Sequence, residues 1–212
     1  MTPGSPSAVL FDLDRTLVDV QSFTDYARAW ADLSRQGLTA GAEMPETSWD
    51  VPTLRCMGAL AAWSGDERWQ RVSRMIEKHE SRAVHRSVLM PGVAEVLEAV
   101  ADRPVTVVTL MGPTAARASL DHHDIPIARV VGRRVDLAPK PAPDQLLAAC
   151  AEMGVEPGAA LMVGDSTWDA LAAEAAGVAF IGVTNGTESE FGSAVEVVPS
   201  LIELAELLIS RG

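Results

Sequence analysis

The sequence predicts an α/β fold built on a doubly wound parallel sheet. Short apolar runs alternate with longer amphipathic segments, and Gly, Pro or Asp bounds the short runs. The short runs are also almost continuous in apolar residues, as expected for strands that helices cover on both faces. Alternation of strands and helices at this spacing is typical of a parallel sheet with helices on either side.

Five short runs are predicted to be strands because they are apolar and bounded by turn residues. These runs are 8–11, 105–109, 129–131, 160–163 and 178–183. Longer amphipathic segments between them are predicted to be helices, namely 91–101, 114–122, 142–153 and 167–176. Pro91 and Pro143 are typical of a first helical turn, while Gly154 and Gly177 are typical of a helix end.

The stretch 19–90 breaks the alternation and is predicted to be a helical cap inserted after the first strand. It contains no convincing strand, and amphipathic helical patterns cover 23–33, 51–63 and 67–79. Residues 36–48, rich in Gly, Thr and Glu, are expected to form a loop between cap helices. Residues 1–18 and 91–212 are then predicted to form the α/β core, with the cap over the carboxyl edge of its sheet.

Most of the tryptophans fall in the predicted cap. Four of the five are there, namely Trp30, Trp49, Trp63 and Trp69. The core of a helix bundle is the expected place for them, and a position on a substrate pocket is the alternative.

Charge and composition restrict the kinds of partner that the chain takes. Its 212 residues include 17 Lys and Arg against 29 Asp and Glu, a net charge of −12. Nucleic acids are held by clusters of Lys and Arg, so no nucleic-acid partner is expected. No apolar stretch approaches the roughly 20 residues that span a bilayer, and none has the features of a signal peptide. No membrane partner and a cytoplasmic location are therefore expected. Cys56 and Cys150 are far apart and form no CxxC motif, so the sequence suggests neither a disulfide framework nor a zinc site.

Two carboxylates end the first predicted strand, in the run AVLFDLDRTL. Asp12 and Asp14 are two residues apart and therefore lie on the same side of an extended chain. Like charges at the end of an apolar strand repel each other and are costly to desolvate, so a cation or a proton is expected between them. A structural turn is the alternative role for Asp12, but it does not explain the second carboxylate.

A second acidic group follows the fourth predicted strand, in the run GDSTWD. Asp165 and Asp169 are expected to meet the first pair beyond the carboxyl ends of the strands, where α/β proteins bind ligands. Carboxylates without clustered Cys or His favour a hard, oxygen-preferring ion, with Mg²⁺ as the first choice. A helix cap is the alternative role, because Ser166 and Asp169 have the spacing of a capping box.

One cation and one hydroxyl are candidates for binding a phosphoryl group. Lys140 lies between prolines in APKPAPD, just before a predicted helix, where a cation opposes the helix dipole. A rigid loop would hold its ammonium against phosphoryl oxygens, and an exposed lysine in a turn is the alternative. Thr109 ends a strand in VVTLMG, where a hydroxyl and the following amides can bind a phosphoryl oxygen, although threonine is also an ordinary strand residue.

With these motifs in this order, the chain resembles a phosphatase of the haloacid dehalogenase-like hydrolase superfamily. DLDRT, Thr109, KPAPD and GDSTWD match the four motifs of that superfamily, and together they span the chain. One branch of the superfamily, which includes the phosphoglycolate phosphatases, carries a helical cap between the first two motifs. The position of the insertion in this chain is similar to that of the cap in this branch. The first and fourth motifs are specific, whereas the second is not.

The resemblance also implies a role for each candidate residue. Asp12 would be the nucleophile and Asp14 the general acid and base. Thr109 and Lys140 would bind the phosphoryl group. The residues implied to hold Mg²⁺ are Asp12, Asp165 and Asp14, the last through its main-chain carbonyl, with Asp169 assisting.

Two positions depart from the pattern of the superfamily. Arg15 stands where Gly is common, and it is expected either to point to solvent or to add a cation near the cap entrance. Leu110 stands where a small or polar residue is often found, which removes a possible side-chain ligand but leaves the amide.

The predicted activity is Mg²⁺-dependent hydrolysis of a small phosphorylated metabolite by a monomer or weak homodimer. An aspartyl-phosphate would form on Asp12, while Asp14 protonates the leaving alkoxide and later activates water. A phosphomutase that acts on a sugar phosphate is the nearest alternative, because it would pass the phosphoryl group to a second hydroxyl. A receiver-type signalling protein would leave the insertion unexplained, and a catalytically silent phosphate-binding protein would not need the intact set of carboxylates.

Overall fold

A computed structural model describes residues 5–187 and 189–211. Within these residues the strands are β1 (Ala8–Phe11), β2 (Val18–Asp19), β3 (Val88–Leu89), β4 (Val105–Val108), β5 (Arg129–Val131), β6 (Ala160–Gly164), β7 (Ala179–Val183) and β8 (Glu196–Val198). The helices are α1 (Tyr26–Arg35), α2 (Val51–Ala62), α3 (Trp69–Ala83), α4 (Val93–Ala99), α5 (Pro113–His122), α6 (Asp144–Met153), α7 (Thr167–Ala176) and α8 (Leu201–Arg211). None of the described helices has the length and apolarity that crossing a membrane requires.

Six strands form one parallel sheet in the order β5-β4-β1-β6-β7-β8. The chain passes from β1 to β4 and β5 on one side, and then returns to β6 on the other side of β1. The strand order therefore reverses beside β1, and the crevice beyond its carboxyl end is where such sheets bind ligands. The predicted fold class, a doubly wound parallel α/β sheet, is confirmed.

Helices bury both faces of this sheet, which explains why its strands read as continuous apolar runs. Phe11 of β1 belongs to a buried cluster that includes residues of α4, α5 and α8. The preceding residue, Leu10, belongs to a second cluster with residues of α6 and α7. Successive side chains of a strand point to opposite faces, so β1 contributes to both cores.

The segment between β1 and α4 differs in part from the prediction. The interpretation that 19–90 holds no strand is wrong at its two ends, because β2 and β3 pair antiparallel through Val18 with Leu89 and Asp19 with Val88. A strand of two residues is too short to produce a readable alternation of polar and apolar positions. The loop predicted between the first two helices of this segment is confirmed, since α1 ends at Arg35 and α2 begins at Val51.

Helices α1, α2 and α3 enclose an apolar cluster of their own, which includes Leu33, Leu60 and Ile76. Trp69 is buried in this cluster, and the other three tryptophans of the segment pack against it while partly exposed. Trp168 of α7, the fifth tryptophan, also belongs to the cluster. The three helices are therefore packed onto the end of the sheet where α7 begins.

A buried ion pair joins α3 to the loop that follows β5. The side chains of Glu80 and Arg133 are both fully buried, and the two guanidinium nitrogens Nη1 and Nη2 donate to the carboxylate oxygens at 2.8 and 2.7 Å. Glu80 also accepts a hydrogen bond from the amide of Gly112 at 3.0 Å and one from the hydroxyl of Tyr26 at 3.5 Å. The carboxylate thus has partners on α1, on the loop before α5 and on the loop after β5.

Candidate active site

The predicted carboxylates converge at the carboxyl end of the sheet. Asp12 directly follows β1, and its amide donates to the carbonyl of Val163 at 2.8 Å, which continues the pairing of β1 with β6. Asp165 follows β6, and Asp169 lies in the first turn of α7. One carboxylate oxygen from each of the three aspartates lies within 4.8 Å of the other two.

Lys140 lies inside this acidic cluster. Its side chain is only 1% exposed, and its Nζ donates to Asp12 Oδ1 at 2.7 Å and to Asp169 Oδ1 at 2.5 Å. A third bond, to the carbonyl of Val108 at 3.0 Å, completes its donor set. The attraction of the two carboxylates raises the pKa of Lys140 against the opposing effect of burial. The lysine is therefore charged and fixed, and the alternative of an exposed lysine in a turn does not hold.

Asp169 has two structural partners as well as its place in the cluster. Ser166 and Asp169 form the capping box that begins α7, and the hydroxyl of Ser166 donates to Asp169 Oδ2 at 2.6 Å. The other oxygen, Oδ1, accepts from Lys140. The capping role considered from the sequence is confirmed, and the same carboxylate faces the acidic cluster.

The cluster carries more negative charge than one lysine can offset. Burial raises the pKa of Asp12 to about 7, with Lys140 opposing the shift and Asp169 adding to it. Burial also raises the pKa of Asp165 well above its usual range, and the charges of Asp12 and Asp169 add to that effect. An additional cation would relieve this cost. The donor atoms are all carboxylate oxygens, so the residues present fit a hard divalent ion.

Asp14 lies beside the cluster, and its carboxylate is held by the backbone. Its Oδ1 accepts hydrogen bonds from the amides of Val20 and Gln21 at 2.8 and 2.9 Å. Burial outweighs these two bonds and raises the pKa of Asp14 to about 8. The protonated form is thus favoured at neutral pH, and the proton would be on Oδ2. A general acid requires this state before it donates.

Arg15 adds a second cation at the edge of the cluster. Its φ of +63° is in the left-handed region that favours glycine, which accounts for the glycine common at this position. Asn185 supports this conformation, because its Nδ2 donates to the carbonyl of Arg15 at 2.6 Å. The side chain of Arg15 is 32% exposed, and its Nε lies 3.4 Å from Asp165 Oδ2. Of the two expectations, the added cation is the one that the geometry supports.

Thr109 is buried at the end of β4, next to Lys140. Its Oγ1 accepts a hydrogen bond from the amide of Met111 at 3.2 Å, so its hydroxyl proton remains available to a ligand. Gln145, which no sequence motif marks as a site residue, donates through Nε2 to the carbonyls of Thr109 and Gly132 at 2.9 and 3.0 Å. Gln145 thereby ties α6 to the loops that follow β4 and β5.

All six predicted site residues line one cavity of about 420 Å³, a volume that includes the open space at its mouth. The space within it that is open to water-sized molecules is about 30 Å³, room for about two waters, so the cavity is narrow. The segment between β1 and α4 supplies further lining residues, namely Gln21, Tyr26, Trp49, Thr53 and Met57. Of these, only Trp49 is a residue for which the sequence suggests a pocket position, as the alternative to a place in the bundle core.

The comparison with known families decides the identity of this site. The sequence model described as haloacid dehalogenase-like hydrolase matches residues 6–177. The chain belongs to the haloacid dehalogenase-like hydrolases. A phosphoglycolate phosphatase of Rhodospirillum rubrum is 31% identical to this hydrolase, over 87% of this chain and 82% of the relative. A phosphoglycolate phosphatase of Chromobacterium violaceum is also 31% identical, over 95% of this chain and 96% of the relative.

Solved structures of other hydrolases share the fold of this haloacid dehalogenase-like hydrolase. A hydrolase from Pseudomonas syringae superposes with a TM-score of 0.71 at 23% identity, covering 97% of this chain and 99% of that one. CbbY from Rhodobacter sphaeroides in complex with phosphate superposes with a TM-score of 0.68 at 20% identity, covering 94% and 96%. These matches show the shared fold, and the family model with the two sequence relatives confirms the predicted family and enzyme class, a phosphoric monoester hydrolase.

Proposed function

We propose that this hydrolase removes the phosphoryl group of a small metabolite by transferring it first to Asp12. The observation that carries the proposal is the position of Asp12, 2.7 Å from the buried ammonium of Lys140 and in one cavity with Asp14. Phosphoryl transfer depends mainly on alignment of the reacting groups and on charge neutralisation. A nucleophile, a fixed cation and a protonated acid in one small cavity meet both needs.

In the first step, a carboxylate oxygen of Asp12 attacks phosphorus in line with the leaving oxygen. The new bond to Asp12 forms as the ester bond breaks, and Asp14 donates its proton to the departing alkoxide. Lys140 offsets negative charge on the phosphoryl oxygens, and the hydroxyl of Thr109 donates to one of them. In the second step, water attacks phosphorus, Asp14 accepts its proton, and inorganic phosphate leaves Asp12.

We propose Mg²⁺ as the ion that this site uses. Asp12, Asp165 and the main-chain carbonyl of Asp14 would hold it, and bound there it would offset charge on the phosphoryl oxygens. Asp169 would have only an assisting role, because each of its carboxylate oxygens already accepts a hydrogen bond, one from Lys140 and one from Ser166. The raised pKa values of Asp12 and Asp165 support a cation at this place.

Chelation is expected to abolish activity, and added Mg²⁺ is expected to restore it. Ca²⁺ should be a poor substitute, because its longer and more flexible coordination does not hold nucleophile and phosphorus in one alignment. Release of inorganic phosphate, followed in EDTA and then in a Mg²⁺ titration, measures this directly and also separates hydrolysis from a mutase reaction. Full activity after exhaustive chelation would rule out the metal requirement.

We further propose that residues 19–90 act as a cap on a core formed by 1–18 and 91–212. The supporting observation is that Tyr26 and Thr53, from α1 and α2, line the same cavity as Asp12. Closure of such a segment would exclude bulk water from the first step, and reopening would admit water for the second.

Asp14→Asn is expected to slow alkyl phosphates far more than p-nitrophenyl phosphate. An alkoxide is a strong base and needs a proton to leave, whereas p-nitrophenolate does not. General acid catalysis is typically worth about 10²- to 10⁴-fold, and that is the loss expected with alkyl esters. The measurement is the single-turnover burst of leaving group, because steady-state rates also contain the second step. Equal fractional losses for both kinds of ester would show that Asp14 acts through structure instead.

A further inference from the structure

Among the residues that the structure describes, the half of the cavity that would face the leaving group has no charged side chain. This half, here called the neutral wall, is formed by Gln21, Tyr26, Trp49, Thr53 and Met57. The residues of the loop after β4 that continue it, Leu110 and Met111, are also uncharged. Among the described residues that line the cavity, Lys140 is the single cation, and it lies in the phosphoryl half.

Two arginines whose contacts adjoin the cavity, Arg133 and Arg15, are already paired with carboxylates. Arg133 is buried and donates two hydrogen bonds to Glu80, which also accepts one from Tyr26. Arg15 lies against Asp165, outside the cavity lining. A second anionic group on a substrate would therefore meet no counter-charge among the described residues of the neutral wall, and burying an unpaired charge is strongly unfavourable.

Thr53 gives the neutral wall a specific polar feature. The residue is 2% exposed, and its Oγ1 has no hydrogen-bond partner among the described residues. The amide of Thr53 donates to the Asp50 side chain at 2.8 Å, so the first turn of α2 fixes the backbone that carries this hydroxyl. A buried hydroxyl without a partner is costly, and a polar group on the substrate would satisfy it.

Trp49 gives the same wall a rigid apolar face. Its ring packs on that of Trp168, with the ring centroids 4.7 Å apart, and Trp168 is itself buried. Tyr26 donates its hydroxyl proton toward Glu80, which leaves its oxygen as an acceptor. The neutral wall thus combines the hydroxyl of Thr53, the acceptor oxygen of Tyr26 and the aromatic ring of Trp49. These groups suit an uncharged alcohol that carries a second hydroxyl or an amide.

We infer that the substrate is the monophosphate ester of a small uncharged alcohol whose second polar group binds the Thr53 hydroxyl. Leaving groups that carry a carboxylate or a second phosphate are rejected by the neutral wall. This inference rests on the proposed phosphatase function and specifies its substrate class. It also separates this chain from a phosphatase of 2-phosphoglycolate, the compound for which two of its relatives are named.

A matched pair of esters tests the charge preference. 2-Phosphoglycolate and its carboxamide have nearly the same shape and differ in the charge of the leaving group. We expect kcat/KM for the carboxamide to exceed that for the acid by about 100-fold or more, because the buried carboxylate would lack a counter-charge. Equal values, or a preference for the acid, would overturn the inference.

p-Nitrophenyl phosphate is the reference substrate, measured with the same enzyme and Mg²⁺. Turnover of p-nitrophenyl phosphate without turnover of the carboxamide would overturn the substrate class while leaving the phosphatase function standing. Turnover of none of the three esters would overturn both.

Substitution of Thr53 tests whether its hydroxyl binds the second polar group of the substrate. Thr53→Val removes the hydroxyl and keeps the shape, whereas Thr53→Ser keeps the hydroxyl. We expect Thr53→Val to raise KM for the carboxamide, so that its kcat/KM relative to p-nitrophenyl phosphate falls by about 3- to 10-fold. Thr53→Ser should restore that ratio. A ratio that is the same in all three proteins would overturn the role of Thr53, and thermal unfolding of each variant reports whether the fold is kept.

Discussion

Asp12→Asn is expected to lower the rate of phosphate release by about 10⁴- to 10⁶-fold, the scale on which loss of a nucleophile acts. The amide has the size of the carboxylate, and its oxygen still accepts from Lys140, which lies 2.7 Å from Oδ1 in the parent protein. Burial already raises the pKa of Asp12 to about 7, so the fold gains little from its charge. Thermal unfolding should therefore change little while turnover is lost.

Asp169→Asn is the matched control for this substitution. Asp169 is also buried, belongs to the same acidic cluster and binds Lys140 as well, at 2.5 Å, but it would not attack phosphorus. Supporting residues around a metal site typically contribute about 10- to 100-fold, and we expect a loss of that size. Equal losses for the two variants would mean that Asp12 acts only through the charge of the cluster.

Arg133→Met is expected to lower the free energy of unfolding by about 3–5 kcal/mol, measured by urea denaturation. The substitution leaves the carboxylate of Glu80 buried without its counter-charge, although the amide of Gly112 still donates to it. Replacing Glu80 with Gln in the same chain removes the unpaired charge and keeps an oxygen for that amide. The double variant should therefore recover much of the lost stability.

Arg134→Met is the control, because Arg134, the residue after Arg133, forms its ion pair in solvent. Arg134 and Asp136 are 2.7 Å apart but largely exposed, and exposed pairs contribute little to stability. The free energy of unfolding should change far less than in Arg133→Met. Similar changes in the two variants would contradict the view that the buried pair holds α3 against the core.

The features that could be predicted from the sequence are those encoded over a few neighbouring residues. β1 and β6 are apolar runs followed by polar motifs, so both the strands and the carboxylates at their ends could be predicted from the sequence. The parallel sheet then brought Asp12 near Asp165, because neighbouring strands end at one edge. Helix α8 was not predicted, although Leu201, Leu204 and Leu208 recur at helical spacing and are buried.

Features that depend on contacts between distant segments could not be predicted in this way. Glu80 and Arg133 are 53 residues apart, and each alone resembles an ordinary surface charge. In the sequence, Thr53 is one polar position in the first turn of a helix, and only the tertiary structure brings it to the cavity that Asp12 lines. The residues that form the neutral wall could therefore be recognised only in the tertiary structure.

Detection of a phosphoryl group on Asp12 during turnover most directly tests whether Asp12 is the covalent nucleophile. The enzyme would be mixed with substrate and Mg²⁺, quenched in acid within the burst phase, digested and mapped by mass spectrometry. We predict a short-lived phosphoryl adduct on the peptide that contains Asp12, removed by hydroxylamine as an acyl phosphate should be, and absent from Asp12→Asn. Rapid turnover with no adduct at any time, or an adduct on another residue, would contradict the account.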